Sequence, residues 1–235
     1  MSSRHLSEFA KANPGISDLL EVLVSDSPPD RYGEVMRELG QHLARAIASK
    51  HPFPEGSAKD ICVVCTVEDA DFLAKGVLGG LQDGGVPAAR LHLYCIWNDK
   101  VRNGAVSLSP IKKRYAEAFD QRHVVFVVVK SIISGACVVK TNLTRALSDA
   151  KDAEVIVAAP VMLKGAQKRL ASEFPPGLSD RFEYVWFAED NERDGDVVIP
   201  GIGGLVYERL GIKNVSSHMP EIVRERRRTQ FDMAK

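Results

Sequence analysis

The chain has 235 residues, 45% of them hydrophobic, enough to bury the core of one α/β domain with an extension. Its 31 basic and 31 acidic residues cancel, which excludes a global electrostatic drive towards nucleic acids or membranes. No apolar run approaches the roughly 18 residues of a membrane span, and no apolar leader is visible, so we expect a cytoplasmic protein.

Residues 1–57 are predicted to form a helical N-terminal extension. Residues 16–24 carry an apolar patch typical of a short helix or a docking arm. Residues 30–50 repeat apolar side chains at every fourth position, which predicts an amphipathic helix capped by Asp30. The extension either packs on the main core or contacts a neighbouring subunit, and residues 51–57, with two prolines and a glycine, are typical of a linker.

An alternation of strands and helices then begins. The predicted elements of this half are a strand at 61–67, a helix at 72–82, a strand at 91–96, a polar loop at 97–110 and a short helix at 111–119. The polar loop is either a hood over a site or a plain surface loop. This order is typical of a mostly parallel sheet flanked by helices.

All four cysteines lie in or beside apolar runs, which predicts buried, reduced thiols. Cys62 and Cys65 have the spacing of half a zinc site. However, both lie in the first predicted strand, where alternation sends their side chains to opposite faces of the sheet. We therefore predict no metal site.

The stretch from 124 to 147 organises the rest of the chain. Residues 124–129 are a continuous apolar run, which predicts a central strand buried on both faces. A small-residue loop, 130–136, leads to a predicted helix at 137–147 with Val138, Leu143, Ala146 and Leu147 facing the core. A strand, a loop and a helix in this order present backbone N–H groups and a helix dipole to an anion, although an ordinary βα turn has the same order.

Later segments add a family resemblance. Residues 154–160 read E-V-I-V-A-A-P and residues 196–211 read D-V-V-I-P-G-I-G-G-L-V-Y-E-R-L-G, with a predicted helix at 163–174 and a strand at 181–188 between them. This order resembles the type I phosphoribosyltransferases, most closely the uracil phosphoribosyltransferases, over residues 58–212. Its most specific part is V-I-P-G-I-G, which follows V-A-A-P at the family's distance. The resemblance implies a phosphoribosyltransferase-type α/β fold.

The resemblance also implies a site. A phosphate or nucleotide would lie on the loop after the central strand, formed by Lys130, Ser131, Ser134, Gly135, Ala136 and Cys137. A base would lie against the later segment, with backbone contacts from Val198 and Gly203 and with Leu205 against the ring. The alternative for residues 200–204 is a plain turn before the last helix.

Three departures from the family pattern concern catalysis. The family opens its loop with acids that hold the ribose hydroxyls, whereas Val129 and Lys130 stand at these positions and cannot accept a hydrogen bond from a diol. The first loop, residues 68–70, is acidic where the family holds pyrophosphate, so it would repel that group. The alternative, that its acids only favour a helix start, also argues against pyrophosphate there. Gly204 stands in place of a family acid.

Beyond residue 212 the chain predicts a basic tail, 213–235, with a helix that carries four arginines. Such a face is either solvated or bound to an acidic partner or a nucleic acid phosphate chain. The six histidines show no metal-binding or nucleophile-activating spacing, and there is no G-x-S-x-G elbow or Walker A loop. We therefore assign no catalytic residue.

Two functions compete on this sequence. The first is a phosphoribosyltransferase-like protein without transferase catalysis that binds a phosphate or nucleotide ligand, a protein partner or both, as a regulatory or accessory subunit. The second is an active enzyme that joins a pyrimidine or related base to phosphoribosyl pyrophosphate, and only this one requires Mg²⁺. A weaker third is a nucleic-acid-associated subunit. We expect a homo-oligomer or a subunit of a complex.

Overall fold

A computed structural model describes residues 4–53, 59–99, 101–103, 106–149 and 153–233. The strands in these residues are β1 (His5–Leu6), β2 (Asp60–Thr66), β3 (Leu91–Asn98), β4 (Val101–Asn103), β5 (Val106–Leu108), β6 (Ile111–Ala116), β7 (Val124–Val129), β8 (Ile132–Ile133), β9 (Glu154–Leu163), β10 (Phe182–Asp190), β11 (Glu192–Asp194) and β12 (Val197–Ile199). Eight of them form one sheet in the order β1-β10-β9-β7-β2-β3-β6, with β8 paired to β9.

The predicted central strand is confirmed. All six residues of β7 are buried, and β7 lies between β2 and β9, parallel to both. Parallel pairing extends to β3 on one side and β10 on the other, whereas the edges β6 and β1 are antiparallel. The five strands predicted from the sequence therefore share one sheet, and their carboxyl ends meet at one edge.

Helices cover both faces of this sheet. They are α1 (Glu8–Lys11), α2 (Pro14–Val24), α3 (Pro29–Lys50), α4 (Lys75–Asp83), α5 (Cys137–Ala146), α6 (Ala166–Ala171), α7 (Pro176–Ser179), α8 (Val206–Arg209) and α9 (Glu221–Met233). One core joins the sheet to α2, α3, α4 and α9, and a second core joins it to α5 and α6. As predicted, Cys62 and Cys65 belong to different cores, because they point to opposite faces of β2.

The N-terminal extension packs on the first of these cores. The predicted stripe on α3 is confirmed, since Val35, Leu39, Leu43 and Ile47 are all fully buried. The predicted cap is wrong: α3 begins after Pro28 and has no side-chain cap, so Asp30 is a residue of the first turn. An acid there still favours the helix dipole.

Other predictions differ from the structure. Residues 111–119 are not a helix but contain β6, because this edge segment pairs antiparallel with β3. The loop at 97–110 contains the β4–β5 hairpin among its described residues. The segment after the strand predicted at 181–188 contains β11, which pairs with β12. The helix predicted at 163–174 is the shorter α6. On α5 the buried residue is Val139 and not Val138.

Helices α3 and α4 approach so closely that glycine is required at their contact. A Cβ atom on Gly40 would lie 2.3 Å from the Leu73 carbonyl oxygen, and one on Gly76 would lie 2.2 Å from the Arg37 carbonyl oxygen. Both separations are shorter than any normal contact, and the obstructing atoms are rigid backbone. Gly79, also in α4, has no atom within 4 Å of such a position.

Substitution of Gly40 by alanine is therefore expected to destabilise the protein by about 1–3 kcal/mol, because the helices must separate to admit the methyl group. The matched change Gly79→Ala should leave the fold intact and stabilise it by about 0.5–1 kcal/mol, since alanine is the better helix former. Urea denaturation of both variants measures the difference. Equal effects of the two substitutions would contradict the close helix contact.

Candidate functional site

A buried ion-pair network joins the carboxyl ends of β2 and β7. The Lys130 ammonium donates to Asp69 Oδ2 at 2.7 Å, to Glu68 Oε1 at 2.9 Å and to Thr66 Oγ1 at 3.1 Å. The Thr66 hydroxyl in turn donates to Asp69 Oδ2 at 2.8 Å, and the Ser131 N–H donates to Asp69 Oδ1 at 3.1 Å. All three protons of the ammonium therefore have an acceptor within the chain.

The network is largely removed from water. The Asp69 side chain is 0% exposed, Lys130 13% and Glu68 15%. Burial alone would raise the pKa of Glu68, but the nearby Lys130 ammonium lowers this pKa below its usual value. Burial alone would lower the pKa of Lys130, yet Asp69 and Glu68 raise it well above the usual value. Glu68 and Lys130 are therefore both charged at neutral pH.

The predicted phosphate residues fall into two groups. Lys130 and Ser131 lie at the end of β7; Ser131 is fully buried, and its hydroxyl has no hydrogen-bond partner among the described residues. Ser134, Gly135 and Ala136 form the loop before α5, which begins at Cys137. The Lys130 ammonium is held by Glu68 and Asp69, and its place in a phosphate site stays a prediction.

The loop at 134–137 lies at the surface and has an electropositive setting. Helix α5 carries no acidic residue in its first turn, and no side chain caps its start. The Arg169 guanidinium donates to the Ser134 carbonyl at 3.4 Å and to the Lys164 carbonyl at 3.2 Å, so a cation adjoins the loop. Sequence reasoning missed Arg169, which is brought here by the turn between β9 and α6.

The predicted base-binding residues surround the turn after β12. Val198 is buried in the second core, and Leu205 is half-buried at the start of α8. Gly203 has φ +74°, and a Cβ atom there would lie 2.3 Å from the Leu23 carbonyl oxygen in α2. The close approach that requires glycine at this position is thus made to the chain's own helix.

A second buried ion pair holds this turn. The Arg4 guanidinium donates to Asp190 Oδ1 at 2.8 Å and to Asp190 Oδ2 at 2.7 Å, and it also donates to the Gly201 carbonyl at 2.6 Å. Asp190 is fully buried and accepts from the Gly201 N–H at 2.9 Å. Sequence reasoning missed this pair, because nothing local to either residue indicates its partner.

The turn after β12 lies close to β8. A Cβ atom on Gly201 would lie 3.4 Å from Ile132, so the turn contacts the segment after β7. The buried Tyr32 hydroxyl donates to the Ile202 carbonyl at 3.0 Å, which anchors the same turn to α3. The helical extension therefore covers the base side of the predicted site.

The arginine-rich tail is a helix, as predicted. In α9, Ile222 and Val223 are buried in the first core, and Arg226 pairs with Glu117 at 3.1 Å. The Arg227 guanidinium lies 5.5 Å from the centroid of the Tyr115 ring. Two of the four arginines thus contact the domain, and Arg224 and Arg228 face solvent.

Within the described ranges, no group of three or more His, Cys, Asp or Glu residues is arranged to hold a metal ion. Across the same residues, no helix combines the length and the apolar character needed to cross a membrane.

The sequence matches no protein-family model and no curated protein. Among solved structures, it is similar to a mutant hypoxanthine phosphoribosyltransferase from Trypanosoma cruzi complexed with the product IMP, at 14% identity and a TM-score of 0.41, over 57% of this chain and 66% of that one. It is also similar to the hypoxanthine-guanine phosphoribosyltransferase of L. donovani, at 12% identity and a TM-score of 0.41, over 69% of this chain and 81% of that one.

A hypothetical protein from Neisseria gonorrhoeae with bound ppGpp is similar at 14% identity and a TM-score of 0.39, over 65% of this chain and 76% of that one. The chain thus spans just under two thirds of the first of these three structures. Because all three TM-scores lie below 0.5, ligand and activity have to be argued from this chain's own residues.

Replacement of Lys130 by methionine is expected to destabilise the protein by about 3–5 kcal/mol at neutral pH, because it leaves the buried acids without a cation. In the wild type the folded-state pKa of Glu68 is lowered. Its contribution to the free energy of unfolding is therefore complete above the ordinary carboxyl pKa and is lost only when the pH falls below that value. In the variant both Lys130 contributions are lost, and burial, the largest effect, is opposed only by hydrogen bonds from the Glu68 backbone and Thr66. The pKa of Glu68 therefore rises, so stability should increase from about pH 7 to about pH 5.

Urea denaturation at both pH values tests this change of sign. The matched control is Lys140→Met, which removes an exposed ion pair with Glu173 and should cost about 1 kcal/mol or less. A Lys130→Met variant as stable as the Lys140→Met variant at both pH values would disprove the buried network.

Proposed function

We propose that this protein is phosphoribosyltransferase-like, binds a phosphate- or nucleotide-containing ligand and does not catalyse phosphoribosyl transfer. The observation that carries the proposal is the Lys130 network. The ammonium is paired with the acids Glu68 and Asp69 at the positions where the family resemblance implies ribose-binding acids and a pyrophosphate loop.

The chemistry of transfer explains why this network matters. Transfer passes through a positively charged ribose and expels pyrophosphate, so the site must hold the diol, carry magnesium and neutralise the leaving group. Val129 is a buried strand residue without a side-chain acceptor, and Lys130 is a cation. Asp69 already accepts three hydrogen bonds, from Lys130, Thr66 and Ser131, which leaves it little capacity for a diol or a metal-bound water.

The ligand part of the proposal rests on the loop at 134–137. Its backbone precedes a helix start without an acidic residue, and the Arg169 guanidinium lies beside it. Both features favour an anion, through the dipole and through a charge-assisted contact. On the base side, Val198 and Gly203 are occupied by packing, so Leu205 is the one of the three predicted contacts with side-chain surface left for a ring.

Uracil as the preferred base, and a homo-oligomer or a larger complex as the assembly, belong to the same proposal. Their support is the V-I-P-G-I-G segment in the first case and the N-terminal extension in the second. The competing activity, transfer of a base to phosphoribosyl pyrophosphate with Mg²⁺, requires that the acids of the network leave Lys130.

Purified protein supplied with phosphoribosyl pyrophosphate, Mg²⁺ and uracil, hypoxanthine or other free bases is expected to release no pyrophosphate above a protein-free blank. Loss of one electrostatic contact of this kind costs an enzyme on the order of a hundredfold, and several are altered here. Turnover by the unmodified protein that Lys130→Ala abolishes would show instead that the lysine is part of a working site.

Ligand binding is tested separately by calorimetry with inorganic phosphate, uridine monophosphate and phosphoribosyl pyrophosphate. Gly135→Asp should abolish binding, because it places a carboxylate on the loop at a position where a Cβ meets no atom within 4 Å. The matched control is Gly177→Asp, at an exposed glycine in α7 with equal space, which should bind as the wild type does. Binding that is equal in both variants would remove the loop from the proposal.

A further inference from the structure

A cavity separate from the Lys130 network lies beneath the end of α5, towards the amino-terminal ends of the central strands. Its volume is about 80 Å³, and it is bordered by the amino-terminal halves of β2, β3 and β7, by β6 and by the connection between β6 and β7. Cys62, in its wall, precedes Thr66 of the network by four strand residues, or roughly 13 Å. The proposed phosphate site does not use this cavity.

The floor of the cavity is apolar. It is formed by Cys62, Tyr94, Phe126 and Ala146, each at most 8% exposed. Burial raises the pKa of the Cys62 thiol well above its usual value, so the thiol remains neutral. Such a floor favours a short aliphatic group rather than a fully hydrated ion.

The rim of the cavity is cationic. Arg114 lies on the edge strand β6, and its guanidinium makes no hydrogen bond or ion pair with any residue that the structure describes. Arg145, at the end of α5, uses one of its five N–H groups on Ser148, at 2.6 Å. The two guanidinium groups belong to different elements, and the cavity lies between them.

The one acid that borders the cavity is already compensated. Glu117 accepts from the Leu93 N–H at 2.8 Å and from the Tyr115 hydroxyl at 2.9 Å. It also forms the ion pair with Arg226 of α9. The charge left at the cavity is therefore positive, which favours an anionic ligand.

A polar group in the cavity wall favours a ligand that carries a hydrogen-bond donor as well as a negative charge. The side chain of Gln121 borders the cavity, and its oxygen is buried with no hydrogen-bond partner among the described residues. A rotation of the terminal amide would present this oxygen to a ligand in the cavity. A buried carbonyl oxygen without a donor is costly, on the order of 1–3 kcal/mol, so the group is suited to a ligand that supplies an O–H.

We propose that this cavity binds a short hydroxy carboxylic acid. The carboxylate bridges Arg114 and Arg145, the hydroxyl donates to the Gln121 oxygen, and the hydrocarbon part contacts the apolar floor. Ligand size follows from the volume, which admits a skeleton of about three or four carbons and no nucleotide.

Calorimetry with sodium lactate as the probe tests the proposal on the full chain. Lactate is expected to bind with a dissociation constant on the order of 1 mM, as suits a ligand of so few atoms. Propionate has the same carbon chain without the hydroxyl and should bind about three- to tenfold more weakly. Gln121→Ala should remove this difference, and Arg114→Gln and Arg145→Gln should each weaken lactate binding about tenfold or more.

A pair of alanines on the β6 side provides the matched control. Ala116 borders the cavity and Ala118 does not, and both are exposed, so neither substitution disturbs the core. Ala116→Leu should fill the cavity mouth and abolish lactate binding, whereas Ala118→Leu should leave it unchanged. Thermal melting monitored by circular dichroism confirms that each variant is folded.

Three results would overturn the proposal. They are no lactate binding at about 20 mM, lactate binding that survives Ala116→Leu, and binding of inorganic phosphate without binding of lactate. The last would mark a simple anion site at the two arginines. Because Gly135→Asp does not touch this cavity, lactate binding by that variant separates the outcome here from the outcome for the proposed function.

Discussion

The structure depends on one buried ion-pair network, that of Lys130 with Glu68 and Asp69. A carboxylate without exposure to water is tolerated only with a cation and hydrogen bonds around it, and Asp69 has both. The network also fixes how the ends of β2 and β7 lie relative to each other. It joins them at the edge where parallel strands usually present ligand-binding groups. The same contacts that stabilise this edge thus occupy the charged groups that lie at it.

The glycines that carry the family resemblance have a local explanation in this chain. At Gly203 the close neighbour is the Leu23 carbonyl, and at Gly201 it is the Val198 carbonyl, 2.2 Å from a Cβ position. Both have positive φ, where a side chain would be strained. The V-I-P-G-I-G segment therefore suits a tight turn packed beneath helices, whether or not a base lies against it.

Sequence reasoning succeeded where the signal was local and failed where it depended on a distant partner. The continuous apolar run of β7 and the apolar repeat at every fourth position of α3 indicate burial directly. Both elements were predicted from the sequence. The edge strand β6 was predicted as a helix, because I-K-K-R-Y-A becomes a strand only through its pairing with β3. The ion pairs of Lys130 were missed for the same reason, since its acids lie 61 and 62 residues earlier and no local pattern connects them.

The salt bridge between Arg4 and Asp190 has a consequence for the order of assembly. Its partners are 186 residues apart, and β1 needs β10 as its pairing strand. During synthesis on the ribosome, at about 5–20 residues per second, the arm must wait on the order of ten seconds or more before its partner emerges. β1 is therefore made well before its partner strand and finds its place late, and until then the edge of the sheet that β1 covers lacks this strand.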